Sequence, residues 1–188
     1  MIETKKLPAI EASRICLRHL EESDIDSLFE IFSDEETMRY WSSLPFQTRA
    51  DAEKYLADIL KLFHQKTLFQ WGISLKENGK IIGTSTLFHL DMRNRRAEIG
   101  YILNRKFWKQ GFVNEALNSL LKYAFEELNL HRIEADVDPE NAASIRVVEK
   151  LGFQKEGYLR ERWHIAGKIC DTVFYGLLRS DWEKTIRS

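Results

Sequence analysis

A chain of 188 residues with 44% apolar residues, 30% charged residues and three prolines has the length and composition of one folded domain, which excludes a disordered or fibrous protein. Its 28 basic and 29 acidic residues leave a formal charge of −1, so no general attraction for nucleic acid or an anionic membrane surface is expected. The opening MIETKKLPAIEAS lacks the apolar core of a secretory signal and no stretch approaches the roughly 20 apolar residues that cross a bilayer, which predicts a cytoplasmic location.

In chain order, RICLRHL from Arg14 to Leu20 reads as a first strand. Ser23 stands where it can cap a helix over 24–33, in which Ile25, Leu28, Phe29 and Phe32 recur at helical spacing. The aromatic stretch MRYWSSLPF reads as a loop broken at Pro45, and Thr48 caps a second helix with Ala52, Leu56, Ile59 and Phe63 on its apolar face. FQWGISLKENGKIIGTSTLFHL predicts two strands around Asn78-Gly79, a pair able to take the left-handed conformations of a tight hairpin.

RAEIGYIL, 96–103, is a further strand, and Gly100 within it predicts a bulge or a close backbone approach. A helix over 111–128 carries Ala116, Leu117, Leu120, Leu121, Ala124 and Phe125 as one stripe. The strand RIEADV, 132–137, precedes a helix in NAASIRVVEKLGF that Gly152 ends, and two strands at 153–162 and 168–178 join across Ala166-Gly167. With no internal repeat or linker, this order predicts one mixed α/β domain over 1–188, with the 111–128 helix as a crossover.

Cys16 and Cys170 lie far apart in apolar surroundings and are expected to be reduced core thiols. His19, His64, His89, His131 and His164 show no HExxH or comparable spacing, so no metal is expected. Chemistry points elsewhere. In FWKQGFVNEAL, Gly111 precedes a helix, and the unpaired amides of a helix N-terminus suit an anion, although a plain turn reads the same way and GxxxxGK(S/T) is absent. In DPENAASIRVVEKLGF, Asn141 and Ser144 share a helix face, which fits either a site or a capped surface helix.

Together EIGYIL, FWKQGFVNEAL, NAASIRVVEKLGFQKEGYLRE and DTVFYGLL resemble the GNAT superfamily of acyl-CoA-dependent N-acetyltransferases, along nearly the whole chain. Within it they look like the ribosomal-protein N-terminal acetyltransferase (RimJ/RimL-like) branch. The resemblance implies a mixed, mostly antiparallel sheet of about seven strands flanked by about four helices. It implies acetyl-CoA as cosubstrate, with the strand ending at Ile102 and Leu103 splaying from the 132–137 strand to receive the pantetheine arm and giving Gly100 a purpose. Trp108, Lys109, Gln110, Gly111, Phe112, Val113 and Asn114 would present the pyrophosphate loop. Relatives often read W-G-K-G here; Lys109 replaces the first of those glycines, an exchange that keeps the N–H, adds a cation near the phosphates and is tolerated so long as the position does not require a positive φ. Asn114 stands where a hydroxyl residue is more usual.

On the same resemblance Asn141 would bind the cofactor arm and the N–H near Leu103 would polarise the thioester carbonyl. Ser144 is the expected proton donor to the leaving thiolate, because Val148 occupies the position where some relatives carry tyrosine. For the general base the residues leave three options: Glu98, which on the central strand can accept the amine proton through water but reads equally as a surface acid, Glu161 as the competing carboxylate, or water alone. Tyr40, Trp41 and Phe46, with Leu44, would line the acceptor pocket, and Trp163 and His164 its opposite wall. The implied acceptor is a primary amine, first a protein or peptide N-terminus, with polyamines or aminoglycosides as alternatives. A non-catalytic acyl-CoA-binding module is the competing class, and monomer and homodimer both remain open.

Overall fold

The computed structural model describes residues 6–186; residues 1–5, which open the stretch read for a secretory signal, lie outside the described residues. Among the described residues eight strands make one sheet: β1 Ile10–Glu11, β2 Ile15–His19, β3 Leu68–Leu75, β4 Ile81–Asp91, β5 Arg96–Leu103, β6 Arg132–Val137, β7 Gln154–Ile165 and β8 Lys168–Leu178, in the spatial order β1-β2-β3-β4-β5-β6-β8-β7. Six helices flank it: α1 Ile25–Phe32, α2 Glu35–Met38, α3 Arg49–His64, α4 Phe112–Glu126, α5 Ala142–Lys150 and α6 Arg179–Thr185. The strand β1 and the short helices α2 and α6 are additions to the elements expected from periodicity; at two, four and seven residues they offer too little pattern to detect.

Neighbouring strands run antiparallel except β5 and β6, which α4 connects as a crossover and which therefore run parallel. Their pairing is brief. It runs from Arg96↔Arg132 to Glu98↔Glu134 and stops, while β6 stays paired with β8 through Val137↔Val173 and β5 with β4 through Leu103↔Gly83. Each strand thus follows its outer neighbour, and the sheet opens along Ile99–Leu103. Asn104 N–H donates to the Ile82 carbonyl at 2.8 Å, so by strand alternation the backbone groups of Ile99, Tyr101 and Leu103 face that opening.

Side-chain alternation gives the sheet two faces. Ala97, Ile99, Leu103, Ile133, Ala135 and Val137 join the core under α4, where Leu117, Leu120, Leu121, Ala124 and Phe125 are fully buried. Burying each such leucine or phenylalanine contributes roughly 1.5–3 kcal/mol. Ile102 faces the other way, into a second core with Leu28, Phe32, Leu56 and Ile59 of α1 and α3.

Local signals behave as their chemistry requires at several turns. Thr48 and Asp51 form a capping box at the start of α3. Gly152, at φ 91°, ends α5 with Phe153 N–H donating to Val148 O and Gly152 N–H to Glu149 O, the paired bonds of a Schellman cap. Ala166 and Gly167 are both left-handed, as a two-residue type I′ hairpin requires. At the earlier hairpin only Gly79 is left-handed (φ 74°), and Asn78 instead accepts the Lys80 N–H through Oδ1.

One local expectation fails and another is met in only one of its two forms. Ser23 does not cap α1: a 3₁₀ turn at Glu22–Asp24 precedes it, and Asp24, clamped by Arg18, accepts the Glu21 N–H instead. Gly100 is not bulged and pairs regularly with Thr86. A Cβ there would lie 3.1 Å from the Phe88 ring, so a neighbouring aromatic side chain makes the close approach at this position.

Candidate active site

The opening between β5 and β6 forms a cleft of about 1160 Å³. Residues of both parities line it, Glu98, Gly100 and Ile102 together with Ile99, Tyr101 and Leu103, so it cuts through the sheet from one face to the other. On the α4 face it meets the loop before α4 and the start of α5; on the opposite face it meets Tyr40, Trp41, Asp136 and Trp163.

The loop before α4 carries strain at one residue. Gly111 caps α4 at φ 84°, and Lys109 also sits in the left-handed region, at φ 59°. The condition set for Lys109 is therefore not met: the glycine usual there has a backbone reason, and lysine holds the same shape at a cost of about 1–2 kcal/mol. Trp108, Lys109, Gly111, Phe112, Val113 and Asn114 line the cleft. Gln110 does not; its side-chain amide turns back to donate to the Lys106 carbonyl. The Trp108 indole N–H donates to Leu103 O at 2.7 Å and ties the loop to the end of β5.

Arg14, which carried no signal in the sequence, fastens this loop from the start of β2. Its backbone N–H and Nε–H donate to the two carboxylate oxygens of Glu115, Nη1–H donates to Gln110 O, and the guanidinium lies 4.2 Å from the centre of the Phe112 ring. Burial raises the Glu115 carboxyl, but these bonds from Arg14 outweigh it and hold the group below its usual range. A carboxylate in the first turn of α4 is thus neutralised where an anion would otherwise be repelled.

Several features fit acetyl-CoA. The N-terminal amides of α4 open onto the cleft, and Lys109, Arg146 and Lys150 line it with positive charge. The Oδ1 of Asn114 is buried with no hydrogen-bond partner, an acceptor left for a ligand N–H. The backbone groups of Tyr101 and Leu103 face the opening without a partner strand, as the addition of an extended amide chain requires.

Asn141 caps α5, its Oδ1 accepting the Ser144 N–H at 3.0 Å, and both residues line the cleft. The Ser144 hydroxyl lies 2.5 Å from the Tyr101 hydroxyl. Burial, partly offset by that hydrogen bond, pushes the Tyr101 phenol up to about 12, so it stays protonated near neutrality. A tyrosine therefore reaches Ser144 from β5, across 43 residues of sequence, although Val148 closes the helical route. The Y of EIGYIL was the available signal, and its face could be assigned only once β5 was placed.

On the opposite face Glu98 is buried and lines the cleft. Burial raises its carboxyl above the usual range, against the hydrogen bond with His89. Nearby acids are already engaged: Glu134 accepts from Arg96 and Arg132, and Asp136 accepts from Arg162, Trp163 and Thr172. Glu161, the competing base, lies on exposed β7 in a register break at φ 54° and does not line the cleft. Tyr40 and Trp41 line the cleft, but Phe46 does not: half-buried, it stacks on Phe32, with ring centres 5.1 Å apart, against the second core. Leu44 and His164 are exposed outside the cleft, while Trp163 lines it and donates to Asp136. Cys16 and Cys170 are half-buried free thiols rather than core residues. Among the described residues no cluster of His, Cys, Asp and Glu is placed to hold a metal ion, and no helix is long and apolar enough to cross a membrane.

The family model described as an acetyltransferase (GNAT) domain matches residues 14–154. The chain belongs to the GNAT acetyltransferases. It is 37% identical over 94% of its length to the uncharacterized N-acetyltransferase p20 of Bacillus licheniformis, 99% of which is covered. It is 33% identical to YdaF of Bacillus subtilis, named provisionally as a ribosomal N-acetyltransferase, over 90% of this chain and 93% of YdaF. The solved spermidine N-acetyltransferase of Vibrio cholerae, in complex with CoA and spermine, superposes with a TM-score of 0.80 at 26% identity, covering 90% of this chain and 98% of that one. GNAT proteins are acyltransferases with acetyl-CoA as cosubstrate, and the sheet opened between β5 and β6 is the GNAT fold.

Proposed function

We propose that this GNAT protein acetylates the N-terminal amine of a protein or peptide by direct transfer from acetyl-CoA. The observation that carries the reading is the cleft through the sheet: Ser144 and Tyr101 stand on its α4 side and Glu98 on the other, so donor and acceptor can approach from opposite faces. Acetyl-CoA supplies an activated acetyl thioester. Lys109 to Asn114 and the start of α5 would hold its phosphates and arm, and Leu103 N–H would orient its carbonyl.

Glu98 acts as general base, taking a proton from the bound ammonium before attack or from the amine nitrogen as it adds to the thioester carbonyl, directly or through one water. It is a buried carboxylate on the cleft wall that no arginine or lysine holds, whereas neighbouring Glu134 and Asp136 are held by arginines. The Tyr101 hydroxyl donates to Ser144 Oγ, which leaves the Ser144 O–H directed to the departing sulfur, and each bond polarises the next. An α-amine, with a pKa of about 7.7–8.0, is partly neutral near pH 7 and suits a carboxylate base, whereas an alkyl amine near 10.4 asks for more.

A polyamine acceptor is the second reading. Glu36, Asp58, Glu140 and Asp171 also line the cleft and would attract a polycation, and the Vibrio cholerae relative is a spermidine N-acetyltransferase. A thiol-release assay compares kcat/KM for short peptides with free N-termini against spermidine and spermine. Peptides preferred at least about tenfold, or about 1.4 kcal/mol, support the first reading, and the reverse order establishes the second. CoA binding with no release for any acceptor would leave a binding module.

A further inference from the structure

Outside the cleft, β4 makes one irregular step. It pairs evenly with β5 from Gly83↔Leu103 to Phe88↔Glu98, then jumps to Asp91↔Arg96. Regular alternation would send Phe88 and the next side chain to opposite faces, but within this bulge His89 turns back over the face that carries Glu98. The turn places His89 at φ 49°, a left-handed conformation that a residue with a Cβ adopts only where its surroundings enforce it. Its Nδ1 lies 3.0 Å from Glu98 Oε2, with the ring against Phe88. The His89 side chain is 65% exposed and the Glu98 side chain 8%, so an outside residue grips a carboxylate that faces inward.

The other charged groups facing Glu98 do not compete for this role. Glu134 and Asp136 of β6 are carboxylates, and Arg96 of β5 is committed to Glu134 and Asp91. We propose that the β4 bulge serves to make His89 the positioning residue of Glu98: Nδ1–H donates to Oε2, favours the ionised carboxylate and leaves Oε1 for the acceptor amine. The inference rests on the reading of Glu98 as base and adds the residue that tunes it.

The sign of its effect is defined. A base works ionised, so kcat/KM falls as pH drops through the Glu98 titration. A donor to the carboxylate lowers that point, and its loss must move the acidic limb to higher pH.

The test is the pH profile of kcat/KM for the wild type, His89→Gly, His89→Asn and Glu98→Gln, each with acetyl-CoA and the best acceptor of the thiol-release panel. Glycine accepts the left-handed backbone without strain, so His89→Gly removes the imidazole alone. Its acidic limb should shift up by roughly half to one pH unit at an unchanged plateau, the size of one charge-assisted hydrogen bond at a partly wet site. Asparagine tolerates the same backbone and offers a shorter donor, so His89→Asn should recover part of the shift and serves if the glycine variant folds poorly. Loss of the limb in Glu98→Gln with no shift in either His89 variant overturns the inference and leaves the base intact. An acidic limb in Glu98→Gln that matches the wild type's, beyond the part contributed by the acceptor amine's own titration, removes the base and the inference with it.

Discussion

The two sides of the cleft are assembled differently. On the side proposed to hold acetyl-CoA, the cofactor side as opposed to the proposed acceptor side, residues 108–114 run consecutively into α4, and Asn141 and Ser144 are three apart at the start of α5. On the acceptor side, Tyr40 and Trp41 follow α2, Glu98 comes from β5 with His89 of β4 behind it, Asp136 from β6 and Trp163 from β7. Function on the first side is written in contiguous motifs because helix N-termini bind anions with backbone groups, which local sequence positions. Function on the second side depends on side chains that meet only when strands are in register. Even the cofactor side has a long-range brace, since Arg14 and Tyr101 enter it from β2 and β5.

The largest effect expected on the cofactor side is at Ser144. Ser144→Ala should lower kcat by about a hundredfold, the lower end for proton-transfer assistance, with little change in KM for acetyl-CoA. Tyr101→Phe should cost less alone and nothing further in the Ser144→Ala background, because it acts through the serine. Independent, additive losses in the double variant would break the assignment of these hydroxyls to one chain of donors.

A smaller loss should follow removal of the brace. Arg14→Ala should raise the KM for acetyl-CoA about tenfold, near 1.4 kcal/mol, and spare kcat at saturation, since it frees Glu115 and the Gln110 carbonyl without touching the opposite face. An equal fall in kcat would show that the two sides are not separable in this way.

The smallest effect concerns Lys109. Lys109→Gly relieves about 1–2 kcal/mol of left-handed strain and returns about 0.4–1 kcal/mol through the freer unfolded chain. Tm should therefore rise by no more than about 4 °C, with CoA affinity within about threefold of the wild type. Lys109→Ala keeps the strain and deletes the charge, so weaker binding in both variants would assign Lys109 a phosphate contact.

Much of the fold could be read from local pattern. The α4 stripe, the Thr48 cap, the Gly152 cap and the Ala166-Gly167 turn all rest on interactions within about four residues, where periodicity and backbone preference act directly. Ser23 misled because its neighbour Asp24, held by Arg18 of β2, accepts the Glu21 N–H and closes a 3₁₀ turn ahead of α1. Phe46 and Trp41 belong to one aromatic stretch, are both half-buried against Phe32, and nothing local separates them; Phe46 also packs on Tyr55 away from the cleft, while Trp41 keeps an edge on it. Glu98 and Glu161 are likewise equivalent as strand acids until the sheet order puts one beside the opening and the other on the outermost strand.

What the sequence determined by itself was the family and the crossover about α4, and it singled out the segment proposed to hold acetyl-CoA, because each is carried by contiguous residues whose chemistry acts through nearby backbone. Tertiary structure alone decided that Tyr101 meets Ser144, that Arg14 closes the loop and that His89 reaches Glu98. Those contacts turn on strand register and on one bulge, and in a strand a shift of a single residue sends a side chain to the other face.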